Sequence, residues 1–138
     1  MAFNLHPIVV HFPIALFISA FIFKIGHCIF KKEWVQHTAL SVYGFAVCMT
    51  PIVVWTGLAQ ADQHHLNHPV LTAHKNFALF VLGMSWISVP VLWGLHKKSK
   101  HIFKYAFLIF TIVAVVGVVL TAYNGGRLVY EYGIGVEQ

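Results

Sequence analysis

Apolar residues along this chain fall into four long blocks, at about 7–30, 39–61, 69–95 and 102–123. Short polar stretches separate them. Each block is close to or above the roughly 20 residues a helix needs to cross a hydrocarbon core about 30 Å thick. Backbone N–H and C=O groups find no partners in lipid, so such spans form helices that satisfy their own bonds. The pattern predicts an all-α membrane protein. Its fold is a four-transmembrane-helix bundle, one domain over 1–138 with a C-terminal tail at 124–138. The first block reads as a span and not as a cleaved signal peptide. No basic residue precedes it, and its apolar run is too long for a signal peptide's hydrophobic region.

Composition agrees. The chain is 59% hydrophobic and only 9% charged, and its mean hydropathy is +0.76. A soluble domain has about 25% charged residues. With so few charges the surface faces lipid over most of its area.

Charge placement predicts the orientation. Seven of the nine basic residues, Lys24, Lys31, Lys32, Lys97, Lys98, Lys100 and Lys104, cluster in or beside the loops after the first and third blocks. The opposite end holds Lys75 and Arg127, with Asp62, Glu131 and Glu137. The positive-inside rule makes the lysine-rich end cytoplasmic. Both termini are then expected outside a bacterial inner membrane, which is the periplasm if the bacterium is Gram-negative. The lysines flank spans and form no stripe with interleaved aromatics, so nucleic acid is not an expected partner. Cys28 and Cys48 lie at different depths, so no disulfide is expected. They read as small buried apolar side chains.

The blocks also echo one another. His6-Pro7-Ile8-Val9-Val10-His11 opens the first, and His68-Pro69-Val70-Leu71-Thr72-Ala73-His74 opens the third. Val53-Val54-Trp55-Thr56-Gly57 in the second resembles Val118-Val119-Leu120-Thr121-Ala122 in the fourth. This suggests two repeated helical hairpins related by an axis along the membrane normal. Short loops make the helices of each hairpin neighbours, with the first and third helices facing across the bundle. With Pro7 and Pro69 at first helical positions, His11 and His74 lie about 6 and 7.5 Å into their spans.

An ionisable side chain inside a membrane span is a functional candidate by default. His11 and His74 are the clearest of the ten histidines. Imidazoles facing each other from two helices can bind haem iron from opposite sides. The expected site is therefore a haem b ligated by His11 and His74. Gly57 and Gly117 would let the porphyrin approach the backbone, and Trp55, Phe12 and Phe77 would line its faces. Arg127 and Lys75 are the cations available for the propionates. Gly125, Gly126 and Arg127 would close the outer pocket. The bland alternative has His11 and His74 bridging helices by hydrogen bonds alone.

Two further patterns bear on chemistry. Asp62, His64, His65 and His68 offer three imidazoles and a carboxylate in one loop, a donor set that suits zinc or copper but matches no strong ligand spacing. A solvated histidine-rich turn is the simpler reading. After the fourth block, Gly125 reads as the end of a helix, and the tail with Tyr130 and Tyr132 as a segment along the headgroups or over the outer mouth. Pro13, Pro51 and Pro90 are expected to bend their helices, and Pro13 to free a carbonyl beside His11. No phosphate loop, nucleophile motif or close acid pair within a span is present.

The string His6-Pro7-Ile8-Val9-Val10-His11-Phe12-Pro13-Ile14-Ala15-Leu16, with His74 and Gly125-Gly126-Arg127-Leu128-Val129-Tyr130, resembles a bacterial family of small four-helix membrane proteins catalogued as a domain of unknown function. The resemblance covers essentially the whole chain. It implies a redox setting, since members are sometimes joined to Rieske or c-type cytochrome domains. It also implies a tail histidine before Gly-x-Gly, a position held here by Tyr132, so that ligand does not carry over.

Together these features predict a membrane-bound b-type cytochrome. It would move electrons between a quinol and a periplasmic redox protein, as a carrier more than a catalyst. Self-association is compatible with the composition, but no interface is specified. The alternatives are a cofactor-free accessory subunit of a respiratory complex and a divalent-metal or copper-binding membrane protein.

Overall fold

A computed structural model describes residues 5–63 and 68–133. It has five helices: α1 (Leu5–Val9), α2 (His11–Phe30), α3 (Glu33–Gln63), α4 (Pro69–Lys98) and α5 (Lys100–Tyr130). The stretches His6–Phe30, Glu33–Ala61, Pro69–Lys98 and Lys100–Tyr130 are each long and apolar enough to cross a membrane. No strand occurs among the described residues.

Proline explains the break between α1 and α2. Pro13 has no N–H for the Val9 carbonyl, and its ring crowds that carbonyl. The helix is interrupted at Val10, and His11 Nδ1 instead donates to Pro7 O at 2.7 Å. Pro51 and Pro90 lie within continuous helices. Pro69 is at the start of α4, behind the His68 N-cap. Pro7 is not at a helix start: α1 begins two residues earlier.

Two helix bounds differ from expectation. The second span begins at Glu33, six residues before the apolar block, because polar and interfacial residues build its first turns. The last helix does not stop at Gly125. It runs through both glycines to Tyr130. Glycine within a helix costs about 1 kcal/mol. Burial of Leu128 with Ala61, Val70 and Leu71 offsets that cost. The two cysteines are free and face outward, not into the core.

The helices form a ring. α2 packs on α3 and α5, and α4 packs on the same two. The first and third spans therefore face each other diagonally.

The two hairpins match at a shift of 68 residues, the interval from His6 to His74. Buried Pro13, Phe17, Ala20 and Lys24 of α2 correspond to buried Val81, Ser85, Ser88 and Leu92 of α4. Buried Val35, Ala39, Tyr43, Ala46 and Thr50 of α3 correspond to Phe103, Phe107, Thr111, Ala114 and Val118 of α5. Identical residues recur at this shift: Phe12 and Phe80, Gly26 and Gly94, Ala46 and Ala114, Gly57 and Gly125. The repeat is thus real, but its register differs from the one the His-Pro strings suggest. Only the second string marks a helix start, with His68 as cap and Pro69 as first residue, while His6 and Pro7 lie within α1. His6, not His11, is the counterpart of His74.

Candidate functional site

The site lies at the end of the bundle opposite the lysines. His6 Nδ1 is 3.1 Å from Val53 O and 3.2 Å from Thr56 Oγ1. His74 Nδ1 is 2.8 Å from Thr121 O. Each bond joins residues 47 apart in sequence. A carbonyl only accepts, so Nδ1 holds the proton in both rings and donates it. In the neutral ring Nε2 then keeps the lone pair.

Glycine makes these seats possible. The residue four positions after each acceptor carbonyl is Gly57 or Gly125. A Cβ at Gly57 would lie 2.7 Å from His6 Cε1, and one at Gly125 would lie 3.1 Å from His74 Cε1. Without those atoms each imidazole lies flush against the partner helix and reaches its carbonyl. The same device is built twice, once per hairpin.

The two rings then meet. Their centroids are 6.5 Å apart and their planes perpendicular. Beside them is a cavity of about 530 Å³. Its apolar wall includes Val10, Ile14, Phe17, Val81 and Val118, and its polar groups include His6, His11, His74 and Gln60.

The other residues nominated from sequence divide between site and surroundings. His11 borders the cavity, but its side chain is exposed and its Nδ1 is turned back on Pro7 O of α1. Gly125 and Gly126 border the cavity too. Gly117 serves helix packing: a Cβ there would lie 2.6 Å from Val81 Cγ2. Trp55 is 71% exposed and Phe12 57%, so both face outward. Phe77 and Lys75 are half-buried. Arg127 Nε donates to Glu131 Oε2 at 2.9 Å, and Nη2 reaches the Tyr132 hydroxyl at 3.4 Å.

In the outer loop, His64 and His65 lie outside the described residues, as does the side chain of Asp62. His68 accepts from Val70 N at 3.2 Å and packs against Tyr132, with ring centroids 4.2 Å apart. Among the described residues no group of three or more His, Cys, Asp or Glu side chains is gathered in metal-binding fashion.

His6 is the functional candidate that reading the strings misses. Aligning the chain with itself at a shift of 68 reveals it, because that shift pairs His6 with His74 and Gly57 with Gly125.

The fold and site define a four-helix membrane protein with a two-histidine pair between its hairpins. Residues 2–138 match the family described as predicted membrane protein (DUF2231), and the chain belongs to that family. No curated protein and no solved structure matches it.

Proposed function

We propose that this protein is a membrane-bound b-type cytochrome whose haem iron is held between His6 and His74. One observation carries the proposal: two imidazoles 6.5 Å apart, each oriented by a backbone carbonyl. Two rings sharing one metal through Nε2 have centroids roughly 6 Å apart when each metal–nitrogen bond is about 2 Å. Metal-binding histidines typically donate the other ring N–H to a carbonyl or carboxylate, which fixes tautomer and orientation. The adjoining apolar cavity is within the range of roughly 300–1,000 Å³ common for small-molecule sites.

Bound haem would supply one-electron exchange. The chain's own contribution is to hold the two rings, keep the pocket apolar and exclude water. Arg127 and Lys75 are cations at the same end that suit propionates. Electron exchange with a quinol or a redox protein at this face, taken as periplasmic in an inner membrane, belongs to the same proposal.

The test is a visible spectrum of protein expressed with ample haem, oxidised and then dithionite-reduced. A shifted Soret peak and a sharp reduced α-band are expected. His6→Ala and His74→Ala should each abolish the bis-histidine spectrum, and His11→Ala should keep it. Loss on His11→Ala with retention on His6→Ala would return the ligand role to His11. A flat spectrum in the unmodified protein would sink the cytochrome.

The same hydrogen bonds favour a second reading, a cofactor-free accessory subunit. They join α1 to α3 and α4 to α5 without any ligand. Under that reading the alanine variants lose stability and there is no colour to lose.

A further inference from the structure

The lysine-rich end contains a cation that is not a loop charge. Lys24 is 1% exposed, while its counterpart in the second hairpin is Leu92. Its Cα lies six residues, or about 9 Å, below the end of α2. Its ammonium donates to Gln36 Oε1 at 2.9 Å. Gln36 is in the first turn of α3, so the side chain climbs toward the headgroup level. Lysines near span ends commonly do this along the outside of a protein. Lys24 does it inside the bundle, over the ring of Phe107 at 5.5 Å.

The hydrogen-bonding inventory here is lopsided. An ammonium has three protons and accepts nothing. Lys24 therefore fixes the amide of Gln36, oxygen toward the ammonium and nitrogen away from it. Gln36 is 3% exposed, and its Nε2 has no hydrogen-bond partner among the described residues. The other charged and titratable neighbours are engaged. His27 Nδ1 donates to Lys32 O at 3.0 Å. Glu33, the nearby acid, pairs with Lys104 at 3.5 Å on the exposed rim. Cys28 faces outward. Two buried groups thus offer protons and positive charge, and the nearby carboxylate of Glu33 is occupied by Lys104 on the exposed rim.

We propose that Lys24 and Gln36, beneath the Glu33–Lys104 ion pair, form a binding site for a phosphate oxyanion between α2 and α3. An anionic phospholipid headgroup and free inorganic phosphate share that chemistry. The site is independent of the haem and belongs to the first hairpin alone, since the second has Leu92 and Lys104 at the matching positions.

The test is native mass spectrometry of the full chain in neutral detergent. It is titrated with phosphatidylglycerol, phosphatidylcholine or sodium phosphate. Preferential retention of phosphatidylglycerol, about tenfold over phosphatidylcholine, is expected if a lipid supplies the phosphate. Retention of inorganic phosphate, or its competition with the lipid, identifies the free ion. Lys24→Leu, which copies the second hairpin, should remove the preference. So should Gln36→Glu, which gives Lys24 an internal carboxylate and does not depend on tolerance of an uncharged residue at position 24. Lys97→Gln, at an exposed lysine over Trp93, should leave it in place. Equal retention by the unmodified protein, Lys24→Leu and Gln36→Glu overturns the proposal. So does a loss on Lys97→Gln as large as that on Lys24→Leu, which would mark surface charge alone.

Discussion

The two hairpins share a backbone plan but differ along their length. At the histidine end they are nearly alike: imidazole, carbonyl and glycine recur at the same shift. In the middle they are complementary. Phe17 stands opposite in kind to Ser85, Ala39 to Phe107, and Tyr43 to Thr111, all of them buried. Phe17, Tyr43 and Phe107 pack edge to face with centroids 5.5 Å apart. Close-packed interiors leave no room for two large copies of one residue, so one hairpin holds the ring and the other gives way. At the lysine end the halves have diverged into different chemistry, with Lys24 and Gln36 on one side only. Similarity at one end indicates a function that needs both copies. Divergence at the other frees one copy for something else.

The largest break in this comparison comes from the middle. Phe107→Ala removes a fully buried ring whose counterpart is already alanine. It should cost about 3–5 kcal/mol, read from unfolding in detergent. A loss below about 1 kcal/mol would mean that the central rings are not the joint between the hairpins.

The glycine seats come next. Gly57→Ala and Gly125→Ala should each destabilise by about 1–3 kcal/mol through overpacking. Gly57→Ala should be the worse, because its Cβ would approach the imidazole at 2.7 Å against 3.1 Å. Any haem band should shift in both. Equal tolerance of alanine at both positions would show that the repeated device is incidental.

The smallest effect concerns the bond that crosses between the hairpins, Tyr43 hydroxyl to Ser88 Oγ at 2.9 Å. Tyr43→Phe and Ser88→Ala should each cost about 0.6 kcal/mol, the typical value for such bonds in a membrane bundle. A double-mutant cycle should show the two changes coupled. Additive losses would mean that the hydroxyls act separately, Ser88 through its bond to Ser85 O.

The four spans were legible because hydropathy is summed over twenty residues and survives any local surprise. The ring order followed from short connections. His74 and Gly57 were legible as candidates, but the packing of the His6 ring beside His74 was not. The His-Pro strings fall at different helix positions in the two hairpins, and their echo drew attention to His11, whose ring bonds Pro7 O in the preceding turn. Register in a duplicated membrane chain is set by buried positions, and these are hard to see when lipid-facing positions are equally apolar. Lys24 was hidden for a related reason. Counting charges near span ends predicts orientation, but it does not tell whether a lysine reaches outward or turns in. The helical run through Gly125 and Gly126 was masked by the cost of glycine, which the contacts of Leu128 outweigh.

Each imidazole is seated within its own hairpin, His6 against α3 and His74 against α5. This has a consequence for biogenesis. Each hairpin can complete its hydrogen bonds as it enters the bilayer, without waiting for the other. The gap between the rings is created only when the two hairpins close on each other. The ring pair therefore forms only once the two hairpins dock, and anything held in it would act as a clasp between them.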